Sequence, residues 1–92
     1  DFLWDDVGSW LAVDRLNAKD SDGNVVRGLH AGIDTHNCIV FGSDEHIIAT
    51  LGIDDLIVVH TADATLICPK SRAEEVRQIV KQLEQRGLER FL

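Results

Sequence analysis

The chain has 92 residues, of which 45% are hydrophobic, and this is enough for one small domain with a modest core. Sixteen acidic residues against nine basic ones give a formal net charge of −7 at pH 7. Such a field repels phosphate backbones and anionic lipid headgroups, so the composition argues against nucleic-acid binding and membrane association. It also disfavours a free nucleotide as a ligand, unless a metal ion or a basic surface from another domain offsets the charge.

The first residues indicate a piece cut from a longer polypeptide. The chain opens on Asp1 without a methionine, and aromatic residues follow at once. It has neither the basic start nor the apolar run of a signal peptide, and no segment approaches the length of a membrane span. Residues 7–16 predict a short helix with its apolar residues on one face and Ser9 near its start. The polar stretch at residues 17–24, with its Asp-Gly pair, reads as a connector and as the boundary within the chain.

Beyond the connector, the sequence predicts a β-module. Five short runs rich in β-branched residues have the length and boundaries of strands, and they cover residues 25–29, 38–41, 46–53, 56–61 and 65–68. Residues 56–59 are apolar on both faces, so we expect a central strand that is covered on both sides. Short strands with close turns fit either a small antiparallel sheet or the stacked rungs of a β-helix, including a left-handed one, and periodicity does not separate the two.

The last element is predicted to be a helix over residues 71–86. Ser71 and Glu74 have the spacing of a capping box, and Gly87 follows as a C-cap. Pro69 marks the switch from strand to helix, because it cannot donate to a sheet. An apolar stripe at helical spacing should face the β-module, and it consists of Ala73, Val76, Ile79, Val80 and Leu83. The fold class is therefore mainly β with a C-terminal helix, preceded by a short helix, and the apolar tail at residues 88–92 should dock on another surface.

Two groups of potentially reactive side chains have simple explanations. Cys38 and Cys68 lack CxxC spacing and fit reduced, buried thiols of a cytoplasmic protein better than a disulfide scaffold. Asp63 lies between two predicted strands, where a short acidic residue is more often a turn former than a catalyst. The histidines could be suspected of binding zinc with Cys38, but their spacing is not that of usual ligand pairs, so we favour surface or packing roles. They are His30, His36, His46 and His60.

The segment from Trp4 to Trp10 is the densest in unusual residues, since it places both tryptophans around Asp6 and Gly8. Taken alone, it is explained by two core aromatics and by Asp6 as the N-cap of the following helix. Its pattern, W-x-D-V-G-S-W, resembles a motif near the end of the nucleotidyltransferase domain in mannose-1-phosphate guanylyltransferases and related sugar-nucleotide pyrophosphorylases. Asp5 departs from the commonest form of that motif, which has serine there, and this leaves the sugar-side contacts in doubt.

The resemblance extends over nearly the whole chain. Residues 23–25, 37–38 and above all 55–64 are similar to successive landmarks of that family's C-terminal region. The final helix and tail look like the natural terminus of the shorter members, in which no cupin-like isomerase domain follows. On this reading, residues 1–16 finish the nucleotidyltransferase domain and residues 17–92 form an accessory β-module.

The family's reaction is the attack of mannose 1-phosphate on the α-phosphate of GTP, which releases pyrophosphate and forms GDP-mannose. Because both reactants are anions, the resemblance implies Mg²⁺, which carboxylates bind. Asp6 would be the catalytic residue and one metal ligand, and Trp4 and Gly8 would contact substrate. The second carboxylate, the Gly-rich phosphate loop and the basic residues of the site would lie in an N-terminal domain that these 92 residues do not contain.

The resemblance therefore implies that this segment alone is inactive, binds Mg²⁺ weakly, and serves packing or subunit contacts in a homo-oligomer. Two alternatives stay open. The chain could be a free-standing binding or oligomerisation domain whose tryptophans are simply core residues. It could also belong to a regulatory paralogue that keeps the fold without turnover. Base and sugar specificity rest on the resemblance, since the residues that read them lie mostly in the absent domain.

Overall fold

The computed structural model describes Trp4 and residues 18–91. Within that part of the chain lie six strands and one α-helix: β1 (Val25–Arg27), β2 (Leu29–His36), β3 (Ile39–Phe41), β4 (Ile47–Asp54), β5 (Leu56–His60), β6 (Thr65–Pro69) and α1 (Val76–Gln85). Two 3-10 segments flank α1, at Lys70–Glu75 and Glu89–Phe91. Neither α1 nor these short segments have the length and hydrophobicity that crossing a bilayer requires.

The strands form two sheets whose pairing is that of a β-helix. The first sheet has the order β1-β3-β5-β6, and the second contains β2 and β4. β1, β3 and β5 are parallel, with Val25 opposite Ile39 and Ile39 opposite Ile57, and β2 is parallel to β4. Only β6 runs antiparallel, as the second strand of a hairpin with β5. Successive turns of the chain thus stack one strand on the next, which decides between the two architectures that the sequence left open.

The corners of the coil use residues that tolerate left-handed backbone conformations. Asp34, Asn37 and Asp55 have φ values between 49° and 57°, and short polar side chains are among the few that adopt this region readily. Gly28 joins β1 to β2 with φ of 88°, and a Cβ there would lie 2.7 Å from the backbone of Gly42 in the next turn. Gly28, Asn37 and Asp55 join successive strands as coil corners, whereas Asp34 lies inside β2.

The four-stranded sheet separates two apolar cores. On one face, Ala73 and Val76 pack with residues of β1, β3, β5 and β6, and Val80 and Leu83 complete that cluster. On the other face, a smaller cluster of Cys38, Val40 and Val58 contacts partly buried residues of the second sheet, including Ile48 and Ile53. β5 lies inside the sheet with Ile57, Val58 and Val59 all buried, so the predicted central strand is confirmed.

The final helix differs from its prediction at its start. Residues 70–75 form a 3-10 segment with no side-chain cap, and Arg72 has non-helical angles, so the Ser71–Glu74 capping box is wrong. Regular α-helix begins only at Val76. At the other end, Gly87 has φ of 70°, and the amides of Gly87 and Leu88 donate to the carbonyls of Glu84 and Leu83. This is the double hydrogen bond of a Schellman C-cap, so the predicted helix end is confirmed.

One strand was missed and one helix cannot be compared. The sequence predicted a single strand at residues 25–29, whereas the chain turns at Gly28 and continues as β2 to His36. Residues 30–36 were not assigned because Gly32 and Asp34 interrupt the β-branched pattern. The helix predicted at residues 7–16 lies outside the described residues. Of the predicted apolar stripe, Ile79 is an exception to the packing, since it is exposed.

Candidate functional site

Trp4, one of the two predicted substrate contacts, lies in the core of the β-module. It is 5% exposed and belongs to the same apolar cluster as Ile39, Ile57 and Val76. Among the residues that the structure describes, its indole Nε1 finds no hydrogen-bond partner. This placement matches the reading of Trp4 as a core aromatic, and a contact between Trp4 and a substrate stays a prediction.

Asp6, the predicted catalytic and metal-binding residue, lies outside the described residues. Gly8, the second predicted substrate contact, and Trp10 also lie outside them. The described part of the chain brings together no group of three histidine, cysteine or acidic side chains that could hold a metal ion. A carboxylate such as Asp6 is the ligand type that Mg²⁺ prefers. The prediction that Asp6 binds Mg²⁺ therefore stays a prediction.

The landmark at residues 23–25 has a structural explanation, because Asn24 fastens successive turns of the coil. Its side chain is buried, accepts from the Cys38 amide through Oδ1 (2.8 Å), and donates from Nδ2 to the carbonyl of Thr35 (2.9 Å). The Asp20 carboxylate accepts the backbone amides of Asp22 and Asn24, each at 2.9 Å. The hydrogen bond from the backbone amide of Asn24 is the main cause that lowers the pKa of Asp20. One buried amide therefore satisfies backbone groups from two turns.

Gly23 and Asn37 complete this corner. Gly23 has φ of 82°, and a Cβ on it would approach Asn37 Oδ1 to 2.5 Å. The Asn37 amide donates to the carbonyl of Asp22 (3.1 Å). The family landmarks at residues 23–25 and 37–38 thus meet in one hydrogen-bonded corner, and their contacts there stabilise the fold.

The four histidines do not converge on one point: His30 and His60 contact threonine hydroxyls, His36 lies near a carboxylate, and His46 stacks on His60. His30 Nε2 is 2.9 Å from Thr50 Oγ1, which in turn is 2.6 Å from the hydroxyl of buried Thr35. His36 Nδ1 lies 3.7 Å from an Asp22 carboxylate oxygen. His60 Nδ1 bonds to Thr65 Oγ1 (2.9 Å). The rings of His46 and His60 stack at 4.1 Å with 18° between their planes, and stacked rings do not aim two nitrogens at one ion.

Two further candidates also have structural explanations. Cys38 and Cys68 are free thiols, and burial raises the pKa of both, which suppresses the reactive thiolate. Asp63 lies in the loop between β5 and β6, where the Thr61 amide and hydroxyl both donate to the carbonyl of Ala64. None of these three residues has a neighbour suited to nucleophilic or acid-base catalysis among the described contacts.

The second sheet carries an exposed apolar face, which the sequence did not reveal. Parallel register sets Leu29 beside Ile47, Ala31 beside Ala49 and Ile33 beside Leu51. The four larger side chains of this face are 46% to 71% exposed. Parallel sheets are ordinarily covered on both faces, so a bare row of this kind is typical of a contact surface. We call these six residues the outer face.

A cleft lies between β6 and α1. Its volume is about 670 Å³, and it exposes Ile67 and Ile79 beside the Arg72–Glu75 ion pair, whose shortest contact is 2.7 Å. That ion pair is exposed, and its hydrogen bond lowers the pKa of Glu75. The cleft holds no arrangement of buried polar groups that would select a ligand.

Residues 23–83 match the family described as the MannoseP isomerase/GMP-like beta-helix domain. The chain belongs to this family. The parallel pairing of β1, β3 and β5 is the pairing that a β-helix requires, so the fold and the family agree.

Parts of several longer proteins resemble this β-helix domain over most of its length. The alginate biosynthesis protein AlgA of Pseudomonas aeruginosa is 40% identical over 84 residues, or 91% of this chain. A putative mannose-1-phosphate guanylyltransferase of Vibrio cholerae is 40% identical over 88% of it, and a mannose-1-phosphate guanylyltransferase of Escherichia coli is 36% identical over 95%. The chain spans only 17% or 18% of the length of these relatives.

A solved structure shares both fold and sequence with the β-helix domain. It is described as a mannose-1-phosphate geranyltransferase from Thermus thermophilus and is 42% identical, with a TM-score of 0.72. The match covers 87% of this chain and 24% of that one. The guanylyltransferase family that the tryptophan motif and the landmarks indicated is thereby confirmed.

Proposed function

We propose that this chain is the C-terminal part of a nucleotidyltransferase that makes GDP-mannose and pyrophosphate from GTP and mannose 1-phosphate. The observation that carries the proposal is the similarity to guanylyltransferases over about nine-tenths of the chain. The motif around Asp6 supports it, because phosphoryl transfer between two anions needs carboxylates that hold a divalent cation. In this proposal the enzyme works in the cytoplasm, where GTP is supplied.

Asp6 is the residue of this chain that we assign to the chemistry. It supplies one oxygen ligand to Mg²⁺, while the other ligands and the groups that cradle the triphosphate belong to the remaining polypeptide. Trp4 and Gly8 carry the proposed contacts to substrate in the same segment. Mg²⁺, when bound, shields the phosphate oxygens and aligns the attack. Because the chain has a formal net charge of −7, binding of the anionic substrates depends more strongly on a cation and on a basic neighbouring domain.

The β-module itself serves packing or subunit contacts in this proposal and does no chemistry alone. The buried polar groups of residues 18–91 are committed to the fold, as the bonds of Asn24 and Thr35 illustrate. The outer face supports the contact role, since it presents uncharged apolar side chains to solvent. Light scattering of the full-length protein tests the homo-oligomer that the contact role implies.

A substrate panel tests the proposed reaction. Full-length protein is incubated with Mg²⁺, each nucleoside triphosphate and each of several sugar 1-phosphates, and products are separated by ion-exchange chromatography. We expect GDP-mannose from GTP and mannose 1-phosphate, and a loss of at least about a hundredfold in Asp6→Ala with an unchanged melting temperature. Near wild-type turnover in Asp6→Ala would remove Asp6 from the site. A folded wild-type protein with no turnover on any pair would favour the regulatory paralogue.

The alternative function, a free-standing binding or oligomerisation domain, draws its support from the outer face alone. The gene sequence upstream of Asp1 separates the two. The enzyme proposal expects a long α/β coding region with a Gly-rich loop, whereas the binding-domain alternative expects a start codon close by.

A further inference from the structure

One edge of β6 borders the cleft between β6 and α1. β6 is the last strand of the four-stranded sheet, and among the described strands only β5 pairs with it. Residues from both faces of β6 line the cleft. Two large apolar side chains beside this edge are open to solvent, since Ile67 of β6 is 62% exposed and Ile79 of α1 is 42% exposed. An apolar strand edge of this kind is a template for pairing with another strand.

The hydrogen bonds to β5 decide which backbone groups of β6 point to this edge. Bonded and non-bonded residue pairs alternate along two antiparallel strands. At one end of the hairpin the Thr61 amide donates to the Ala64 carbonyl, and at the other end the Lys70 amide donates to the Asp55 carbonyl. The alternation between these two bonds turns the backbone groups of residues 65, 67 and 69 away from β5 and toward the cleft side.

These outward groups are complementary to a second copy of the same strand. Two β6 strands that run antiparallel with Ile67 at a two-fold axis exchange both hydrogen bonds between the Ile67 residues. In that register Thr65 of one copy lies opposite Pro69 of the other, and the Thr65 amide donates to the Pro69 carbonyl. Pro69 has no N–H to donate, so this pairing uses the one backbone group that it offers. The edge can therefore pair with itself.

The side chains around the edge suit the same arrangement. Ile67 lies opposite Val58, on the side of the second sheet, whereas Ile79 lines the cleft on the α1 side. Pairing across the two-fold axis brings the two Ile67 side chains together and covers the cleft in which Ile79 is exposed, so apolar surface is buried on both faces of the joined sheet. The α1 wall also offers uncharged amides that both donate and accept, and these are Gln78, Gln82 and Gln85.

The charges at this edge allow a second copy to approach. The chain as a whole has a formal net charge of −7, but the five residues of β6 are all uncharged. The charged side chains that line the cleft are Arg72, Glu75 and Lys81, and Arg72 pairs with Glu75. Two copies therefore meet here without a row of like charges, and their remaining repulsion acts at a distance, where salt screens it. The contact should strengthen as salt rises, whereas a contact with a basic polypeptide should weaken.

We propose that the outward edge of β6 is the interface between two copies of this protein, which pair their β6 strands antiparallel about Ile67 and join their four-stranded sheets into one. This inference rests on the subunit-contact role in the proposed function. It assigns the subunit contact to β6 and α1 and leaves the packing contact to the outer face.

The test is the oligomeric state of the full-length protein, measured by sedimentation velocity over a range of protein concentrations. Ile67→Lys places a charge at the centre of the proposed interface, and Leu51→Lys places the same charge on the outer face, where the side chain is 71% exposed. We expect a wild-type dimer whose dissociation constant rises at least about thirtyfold in Ile67→Lys and less than about threefold in Leu51→Lys. Both side chains are exposed in one copy, so each variant should keep its fold, as circular dichroism would show.

Three results would overturn the interface. They are a wild-type monomer at about 100 μM, a dimer that Leu51→Lys disrupts while Ile67→Lys leaves it intact, and a dimer that weakens as NaCl rises from about 50 to about 500 mM. The first two reject pairing through β6, and the third indicates a basic occupant. Should Ile67→Lys fail to fold, Ile67→Thr keeps a β-branched side chain and supplies the same comparison, with a rise in the dissociation constant in the same direction.

Pyrophosphate release from GTP and mannose 1-phosphate, measured on the same samples, separates this inference from the proposed reaction. A dimer that Ile67→Lys dissociates, in a protein that makes no GDP-mannose, supports the interface and removes the reaction. A wild-type monomer that makes GDP-mannose removes the interface and leaves the reaction standing.

Discussion

The two sheets of the β-module are both built on parallel strands from successive turns, but they differ in how they are covered. The inner strands of the four-stranded sheet, β3 and β5, are buried on both faces, by the cluster of α1 and Trp4 on one side and by the second sheet on the other. The two-stranded sheet is covered only on its inner face, where Ile48 and Ile53 meet the small core. Its outer face stays bare. The β-module therefore completes its own core around the four-stranded sheet and leaves the outer face of the two-stranded sheet available for contact.

The contrast also explains how a chain of this size holds together. The buried side chains concentrate on β3, whose three residues are all buried, and on the middle three residues of β5. The second sheet depends on hydrogen bonds and coil corners more than on burial. Its polar links are the bonds of buried Asn24 and the bond between Thr35 and half-buried Thr50. Substitutions in the two sheets should therefore have very different effects on stability.

Ile57→Ala should give the largest effect. Ile57 is fully buried at the centre of the four-stranded sheet, so the substitution should lower the free energy of unfolding by about 3–5 kcal/mol. A loss of that size is a large part of the stability of a small domain. Urea unfolding measures it. Ile67→Ala, on the exposed edge strand, is the control and should cost less than about 1 kcal/mol; equal losses would contradict the assignment of the core.

Asn24→Ala should rank second. It leaves the Cys38 amide and the Thr35 carbonyl without their side-chain partner, and each unpaired buried group costs about 1–3 kcal/mol. We expect a loss of about 2–3 kcal/mol in the same unfolding experiment. Ser43→Ala removes a hydroxyl that accepts the Glu45 amide in an exposed loop and should change stability by less than about 0.5 kcal/mol. A neutral Asn24→Ala would show that this corner does not hold the two turns together.

The two free thiols, buried Cys38 and half-buried Cys68, predict a dependence of stability on alkaline pH. Burial raises the pKa of Cys38 and Cys68, so the folded state favours the protonated thiol. Their contribution to stability is fully present below the unfolded thiol pKa of about 8.5, and it is lost as the pH rises through the folded pKa. The urea midpoint, measured under reducing conditions, should fall between about pH 7.5 and pH 10. Cys38→Ala with Cys68→Ala should flatten that fall, and an unchanged slope would assign it to other groups.

Leu51→Ser should give the smallest effect on the chain itself. Leu51 is 71% exposed on the outer face, so its removal should change the free energy of unfolding by less than about 0.5 kcal/mol. Chemical denaturation of the 92-residue chain measures this. A loss above about 1.5 kcal/mol would show that the outer face is covered within the chain, and the contrast between the two sheets would disappear.

Sequence patterns predicted the elements whose formation depends on residues close together in the chain. β-branched runs located five of the six described strands, and the apolar residues of β5 indicated its central place. Gly87 predicted the helix end because a left-handed residue is needed there. The start of the helix was mispredicted because a sequence match to a capping box does not ensure the geometry: the chain leaves β6 at Pro69 and first makes a 3-10 turn.

The remaining features depend on pairing between distant residues, which a single sequence does not show. β2 was missed since its strand character comes from its register with β4, where Leu29 and Ile33 meet Ile47 and Leu51. The same register creates the outer face. The buried amide of Asn24 was noticed only as a family landmark, because its partners come from the next turn of the coil. Among the proposed site residues, Trp4 alone is described, and its burial was one of two readings that the motif allowed.

The central claim is that these 92 residues are a dependent part of a GDP-mannose-forming enzyme. The most direct test measures pyrophosphate release from GTP and mannose 1-phosphate with Mg²⁺, for the full-length protein and for the 92-residue chain at equal concentration. We predict steady release of pyrophosphate with the full-length protein and none above background with the chain alone. Turnover by the chain alone, or a folded full-length protein that makes no GDP-mannose, would contradict the claim.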